Sequence, residues 1–344
     1  MSAAGRPSGV RLQSALRLIV GLGVSGACLY FATRGTDWAA VGASLRGAHL
    51  GWCLAVIGLS GCCHVLRAER WRLLLRPVGN VPLWPAIAAT FIGFGANAVL
   101  PLRLGEFVRP FFLSRRVGLS LSPTISSIVL ERIFDTLLVV CCLLAVSVVY
   151  PVEERLRQGA MVLGALMAAG MVFLVWMQRQ PAAAERLIRG VLSILPERAR
   201  EPLWSVAEGL QHGLGALADV RIVVLVLVYS VILWSMIALT YTFSFLALDV
   251  PIPLVAGSLV TVVIVAASVF VPQGPGFIGT WQAGCVLALH TVFKVPLDIA
   301  VSYSFLTWVI QMVANIGSAS IALVVEGVSL GELVREGQRE VPEA

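Results

Sequence analysis

Apolar residues run in long blocks, at approximately 16–33, 49–66, 83–101, 123–150, 158–177, 221–247, 253–271, 277–293 and 297–325. A block of about 20 such residues is long enough to cross a bilayer as a helix. Two stretches break the pattern. Asn97, Pro101 and Gly105 interrupt the first, over 83–113. Pro272-Gln273-Gly274-Pro275-Gly276-Phe277-Ile278-Gly279 interrupts the second, over 253–293. Proline lacks the amide proton a helix needs and glycine stabilises it poorly, so neither stretch continues as helix. The pattern predicts an all-α polytopic membrane protein with six full spans and two re-entrant helical hairpins, eight or so membrane elements in all.

Arginine placement sets the expected topology. Arg67, Arg70, Arg72 and Arg76 follow the second block; Arg103, Arg109, Arg115 and Arg116 follow the third; Arg179, Arg186, Arg189, Arg198 and Arg200 follow the fifth. Basic loops close to spans stay in the cytoplasm. Block 83–101 has such loops on both sides, and a hairpin that enters from the cytoplasm and returns removes the conflict. Irregular backbone at that depth is tolerated where protein buries it or a wet cavity receives it. Span, span, hairpin, span over 1–150, repeated over 158–325, predicts two halves of opposite orientation in one integral domain, 1–344. Both termini are expected in the cytoplasm, with the bacterial inner membrane as location. The polar linker 178–219 alternates charges with Leu187, Ile188, Val191, Leu192, Ile194 and Leu195, the pattern of an amphipathic helix pair lying on the cytoplasmic interface.

Composition agrees and narrows the chemistry. The chain has 344 residues, 58% hydrophobic and 13% charged, with a net charge of +6. Every basic residue but Lys294 is arginine, grouped beside apolar blocks. That suits an anionic membrane surface and not nucleic acid, which calls for a basic stripe with interleaved aromatics. The cysteines, Cys28, Cys53, Cys62, Cys63, Cys141, Cys142 and Cys285, all lie in apolar runs and read as packing residues. His64 beside Cys62 and Cys63 has no second cluster at zinc spacing, so neither metal nor cofactor is expected. Gly21-Leu22-Gly23-Val24-Ser25-Gly26 fits the dinucleotide fingerprint but lies in a membrane span, where small residues permit close helix packing. There is no Ser/His/Asp grouping, HExxH or Walker loop, and enzymatic chemistry is not expected.

The strongest signal is charge at membrane depth. Glu106 and Arg109, then Arg132 and Asp135, stand three apart; Glu131 and Asp135 stand four apart on one helix face. With Arg103 the set holds three acids and three arginines and is neutral as counted. Such groups cost about 2.5–3.5 kcal/mol each at the helix centre, so they pair, face inward and mark function. The set is either an ion-pair staple or a headgroup site in which arginine forks grip phosphate while the acids orient them or one acid exchanges a proton. Arg67 to Arg76, with Trp71, reads most simply as an interfacial anchor. Tyr229, Ser230, Trp234, Ser235, Thr240, Tyr241, Gln311 and Asn315 are polar positions within spans and read as interhelical contacts or the lining of a path.

Three ordered motifs carry a resemblance: Asn97…Pro101-Leu102-Arg103-Leu104-Gly105-Glu106-Phe107-Val108-Arg109; Leu130-Glu131-Arg132-Ile133-Phe134-Asp135; and Pro272-Gln273-Gly274-Pro275-Gly276-Phe277-Ile278-Gly279-Thr280. With Arg67-Ala68-Glu69-Arg70-Trp71-Arg72 they resemble the lysylphosphatidylglycerol synthase transmembrane-region family, also called flippase-like integral membrane proteins. The resemblance implies lipid translocation. The charges at membrane depth and the two interrupted stretches put Asn97, Arg103, Glu106, Arg109, Glu131, Arg132 and Asp135 in an expected headgroup site opposite Pro272, Gly274, Pro275, Gly276 and Gly279. In the two-part synthases a fused cytosolic transferase makes an aminoacylated phospholipid; this chain stops at Ala344, so lysyl transfer is not expected. Gln282 stands where many relatives carry Glu. The resulting expectation is a flippase or scramblase for a phosphate-bearing phospholipid, glycolipid or isoprenoid-linked lipid. The alternatives are a membrane-embedded enzyme or accessory subunit of a glycosyl or aminoacyl lipid pathway, or a scaffold that recruits a lipid-synthesis enzyme.

Overall fold

The computed structural model describes residues 8–100, 103–149, 154–194, 196, 200, 204, 214–268 and 274–333. Their regular structure is helical: α1 (Ser8–Thr33), α2 (Trp38–Arg46), α3 (Leu50–Leu75), α4 (Leu83–Val99), α5 (Gly105–Val117), α6 (Leu121–Val149), α7 (Glu154–Arg179), α8 (Pro181–Leu192), α9 (Val220–Ala247), α10 (Leu254–Ser268), α11 (Thr280–Val286) and α12 (Leu297–Glu326). Among the described residues, α3, 157–179 of α7, α9 and α12 are long and apolar enough to cross a membrane. Their outer faces carry exposed Leu54, Val224, Val228, Val309 and Val313, while Arg70, Glu131, Gln282 and Ser302 are fully buried. An apolar exterior around a polar interior is the distribution expected in lipid.

The two interrupted blocks fold as pairs of short helices. α4 and α5 pack against each other so closely at Gly93 and Gly105 that a side chain on Gly105 would collide with the Gly93 carbonyl and Asn97. Gly118, at φ 70°, ends α5. Trp84, near the start of α4, donates to Glu326 at 2.7 Å, and Arg116, near the end of α5, pairs with the same carboxylate at 2.6 Å. Both ends of the pair therefore meet the C-terminal end of α12.

The tip of that pair reaches the middle of α12. Gly276 lies so close to the Ala98 carbonyl and Met312 that a methyl there would stand 3.1 Å from the carbonyl oxygen and 3.4 Å from the sulfur. At a rise of ~1.5 Å per residue, Met312 is about 21 Å along α12 from Glu326, near the midpoint of the 30-residue helix. The second pair, α10 and α11, arrives at this level through the turn Pro275–Phe277, where Gly276 has φ 64°. Trp308 of α12 donates to the Gly276 carbonyl at 2.7 Å. α11 then passes into a π-helical turn, Leu287–Val292, and the chain reverses at Lys294 (φ 58°) to start α12.

α1 closes over the second turn. Ser25 accepts from the Gly274 amide at 2.8 Å, and Gly279 (φ 86°) sits against the Ser25 carbonyl with no room for a side chain. Within the expected small-residue motif the close approach is thus at Ser25; Gly23 and Gly26 face open space. In the linker, α8 is amphipathic and braced by Glu185–Arg189 at 2.6 Å. The second helix expected over that linker falls largely outside the described residues.

Candidate functional site

Three helices deliver charge to one locus, and a fourth adds polar partners. α3 supplies Arg67 and Arg70, α5 supplies Arg109, α6 supplies Glu131, Arg132 and Asp135, and α9 contributes Ser230 and Trp234. Glu131, fully buried, accepts from Arg109 Nη1 at 3.0 and 3.2 Å; Arg70 Nη2 stands 3.2 Å away, and Arg67 and Arg132 each 3.5 Å. Asp135 accepts from Arg70 at 2.6 Å, Arg67 at 3.3 Å and the Trp234 indole at 3.2 Å. Arg70 also donates to Ser230 at 2.8 Å. The guanidinium of Arg109 lies 3.9 Å from the ring centre of Trp71, whose indole donates to Ser127 at 2.8 Å. A cation over an aromatic face is held there by the ring quadrupole.

The cluster corrects two expectations. Arg67, Arg70 and Trp71 are not interfacial anchors: they are 9%, 0% and 0% exposed. α3 continues as helix past its apolar block to Leu75, and α6 and α9 pack over the added turns. Arg72 and Arg76 stay at the end of that helix, where Arg72 pairs with Glu69 and donates to the Val81 carbonyl at 2.8 Å. Nor is the buried set neutral. Four guanidiniums, three buried and that of Arg132 36% exposed, surround two carboxylates, a surplus of two positive charges. Nε of Arg67, Arg70, Arg109 and Arg132, and Nη2 of Arg109, have no hydrogen-bond partner among the described residues. Buried N–H groups left unpaired cost about 1–3 kcal/mol each, more when charged, so the locus is electrostatically incomplete.

The remaining expected site residues lie elsewhere. Arg103 and Glu106 pair at 2.7 Å near the tip of the α4–α5 pair, and the Arg103 guanidinium is 5.9 Å from the Phe277 ring centre. Asn97 is buried against Gly105. Gly274, Pro275, Gly276 and Gly279 form the junction with α1, α4 and α12; Pro272 is outside the described residues. The structure therefore groups Arg109, Glu131, Arg132 and Asp135 together, and sets Arg103 and Glu106 beside the second turn.

A cavity of about 90 Å³ extends from the cluster. It follows one face of α3, from Arg67 through His64 and Ser60 to Val56, about 16 Å at a rise of ~1.5 Å per residue. Thr240, Tyr241 and Ser244 of α9, Trp281 of α11, and Thr307 and Gln311 of α12 face it, with Cys63, Phe94 and Ile237 also in the lining, so it lies between elements from both ends of the chain. His64 bonds Asn315 at 2.9 Å and stacks on Phe94, ring centres 4.4 Å apart. Sequence reasoning did not place Ser60, His64 and Arg67 in one site. Their signal was the spacing i, i+4, i+7, one helical face.

Residues 18–317 match the family described as "Lysylphosphatidylglycerol synthase TM region", and the chain belongs to that family. No curated protein matches the sequence.

Proposed function

We propose that this member of the lysylphosphatidylglycerol synthase TM region family moves a phosphate-bearing amphiphilic lipid across the bilayer, as a flippase or scramblase. The observation that carries this reading is the surplus of two positive charges in the arginine cluster, next to a cavity of mixed polar and aromatic lining at membrane depth. A lipid phosphate supplies negative charge and acceptor oxygens to guanidinium N–H groups that the protein leaves unpaired. Glu131 and Asp135 hold the arginines in place and keep the empty site from carrying its full fourfold charge. In this role the acids position and do no covalent chemistry.

The topology that fits is six spans with α4–α5 and α10–α11 as re-entrant pairs of opposite orientation. Its support is that both ends of the first pair contact Glu326 while its tip stands level with the middle of α12, where the second turn meets it. The face bearing Arg72, Arg76, Arg115 and Arg116 is then cytoplasmic, in the plasma membrane.

The test is translocation of fluorescent phospholipids and polyprenyl-phosphate lipids by the purified protein in proteoliposomes. Wild type is expected to move a phosphate lipid, and Arg67→Ala, at the cavity mouth, to lose most of that activity. A folded Arg67→Ala variant at the wild-type rate, or a folded wild type that moves no lipid, overturns the proposal.

A further inference from the structure

The cavity beyond Arg67 has a hydrogen-bonding character of its own. Thr240 donates to the Ile237 carbonyl at 2.6 Å, Ser244 to that of Thr240 at 2.8 Å, and Thr307 to that of Tyr303 at 2.8 Å. Ser60 donates to Gln311 Oε1 at 3.2 Å. Each hydroxyl proton is thus committed, and each oxygen keeps a lone pair to accept with, Thr307 already accepting from the Trp281 indole at 3.1 Å. His64 also lines the cavity. With Asn315 Oδ1 accepting from Nε2, the ring proton is on Nε2, and Nδ1 has no partner among the described residues. Gln311, its oxygen taken by Ser60, keeps amide N–H groups to donate.

The wall combines these acceptors with donors from Arg67, Tyr241 and Gln311, which calls for groups that both donate and accept. Hydroxyls do both. An ammonium donates but cannot accept, and a trimethylammonium does neither. Charge decides in the same direction. Among the described residues lining the cavity none is a carboxylate, and Arg67, from a cluster with surplus positive charge, stands at its end. A cationic headgroup entering here would meet repulsion without a counter-charge. The volume, about 90 Å³, equals roughly three waters at ~30 Å³ each, enough for a few hydroxylated carbons beside the phosphate.

We propose that this cavity selects a headgroup bearing hydroxyls and no positive charge next to its phosphate, that is, a polyol or sugar phosphate. The inference rests on the arginine cluster binding the phosphate. It adds a specificity role for Ser60, His64, Thr240, Ser244, Thr307 and Gln311.

Calorimetric titration of the full chain in detergent tests it without relying on transport. The probes are short-chain phosphatidylglycerol, phosphatidylinositol, phosphatidic acid, phosphatidylcholine and phosphatidylethanolamine, with soluble glycerol 3-phosphate. The two hydroxylated lipids are expected to bind at least about tenfold more tightly than the choline and ethanolamine lipids, a gap of ~1.4 kcal/mol. Their advantage over phosphatidic acid is expected to shrink several-fold in Thr307→Val combined with Ser244→Ala. Equal binding of all phosphate lipids overturns the selectivity and leaves the phosphate site standing; tighter binding of the choline lipid does the same. Absence of any phosphate binding overturns both. Glycerol 3-phosphate binding as tightly as the lipids upholds the hydroxyl-phosphate chemistry and overturns the lipid reading. Should the double variant fail to fold, the wild-type series alone decides.

Discussion

Arg109 and Glu131 meet where α5 crosses α6, the guanidinium contacting both carboxylate oxygens at 3.0 and 3.2 Å with its other face on Trp71. This contact ties the short-helix pair to α6. It also leaves Arg109 Nε and Nη2 unpaired in a side chain only 5% exposed. One bond thus serves the fold, while under the transport reading the unpaired N–H groups are the ones offered to a phosphate.

Removing Glu131 alone raises the surplus from two positive charges to three. Breaking one side of a buried pair costs about 3–5 kcal/mol. Glu131→Gln is therefore expected to lower the thermal midpoint in detergent strongly. Arg109→Gln in the same chain restores part of the loss, because the two changes remove opposite charges. The double-mutant cycle checks this: additive effects would mean that the pair is not coupled.

The close crossing of α4 and α5 makes a second prediction. Gly105→Ala places a methyl against the Gly93 carbonyl and the Asn97 amide, and backbone cannot swing aside as a side chain does. Overpacking of this kind costs about 1–3 kcal/mol. Gly190→Ala, with open space at its Cβ position in α8, is the control and is expected to be neutral or slightly stabilising. Thermal unfolding of the two variants side by side measures the difference.

Much of the architecture is written locally. Gly105 and the run Pro275–Gly279 announce breaks because glycine and proline act through their own backbone, and breaks occur at both places, whereas Asn97 stays within α4. The arginine cluster is less legible. Arg67 and Arg70 follow an apolar block as an anchor would. Their burial depends on α6 and α9, reached only through contacts 65 and 160 residues away in the chain, Arg70 to Asp135 and Arg70 to Ser230. Counting charges along the sequence gave neutrality because it omitted the two arginines of α3; Arg103 and Glu106, which it admitted, pair with each other and cancel. Gln282 reads as a substitution in a motif, yet its role is structural: its Oε1 accepts from the Gly279 amide at 2.7 Å.

Placement of the helix pairs predicts a labelling pattern. In a chain with its native cysteines replaced, Asn80→Cys and Arg115→Cys are expected to react with an impermeant thiol reagent from the cytoplasmic side. Asp249→Cys and Lys294→Cys are expected to react from the opposite side. Asn80 and Arg115 lie next to the two ends of the first pair, and Asp249 and Lys294 flank the second. Labelling of all four from one side would rule out re-entrant pairs of opposite orientation.

The last prediction concerns the junction that α1 makes with the second turn. Gly279 combines φ 86° with a backbone in contact with the Ser25 carbonyl, so Gly279→Ala strains the turn and pushes α1 away together. Gln282→Leu acts differently. It leaves the space unchanged and removes the acceptor of the Gly279 amide, a buried donor whose loss of partner costs about 1–3 kcal/mol. Under the transport reading both variants disturb the level at which the two helix pairs meet, 21 Å or so along α12, without touching the arginines. Lipid movement is then expected to fall in each while phosphate-lipid affinity, read by calorimetry, stays within about twofold. Equal losses of affinity and movement would place the second turn in the binding site itself.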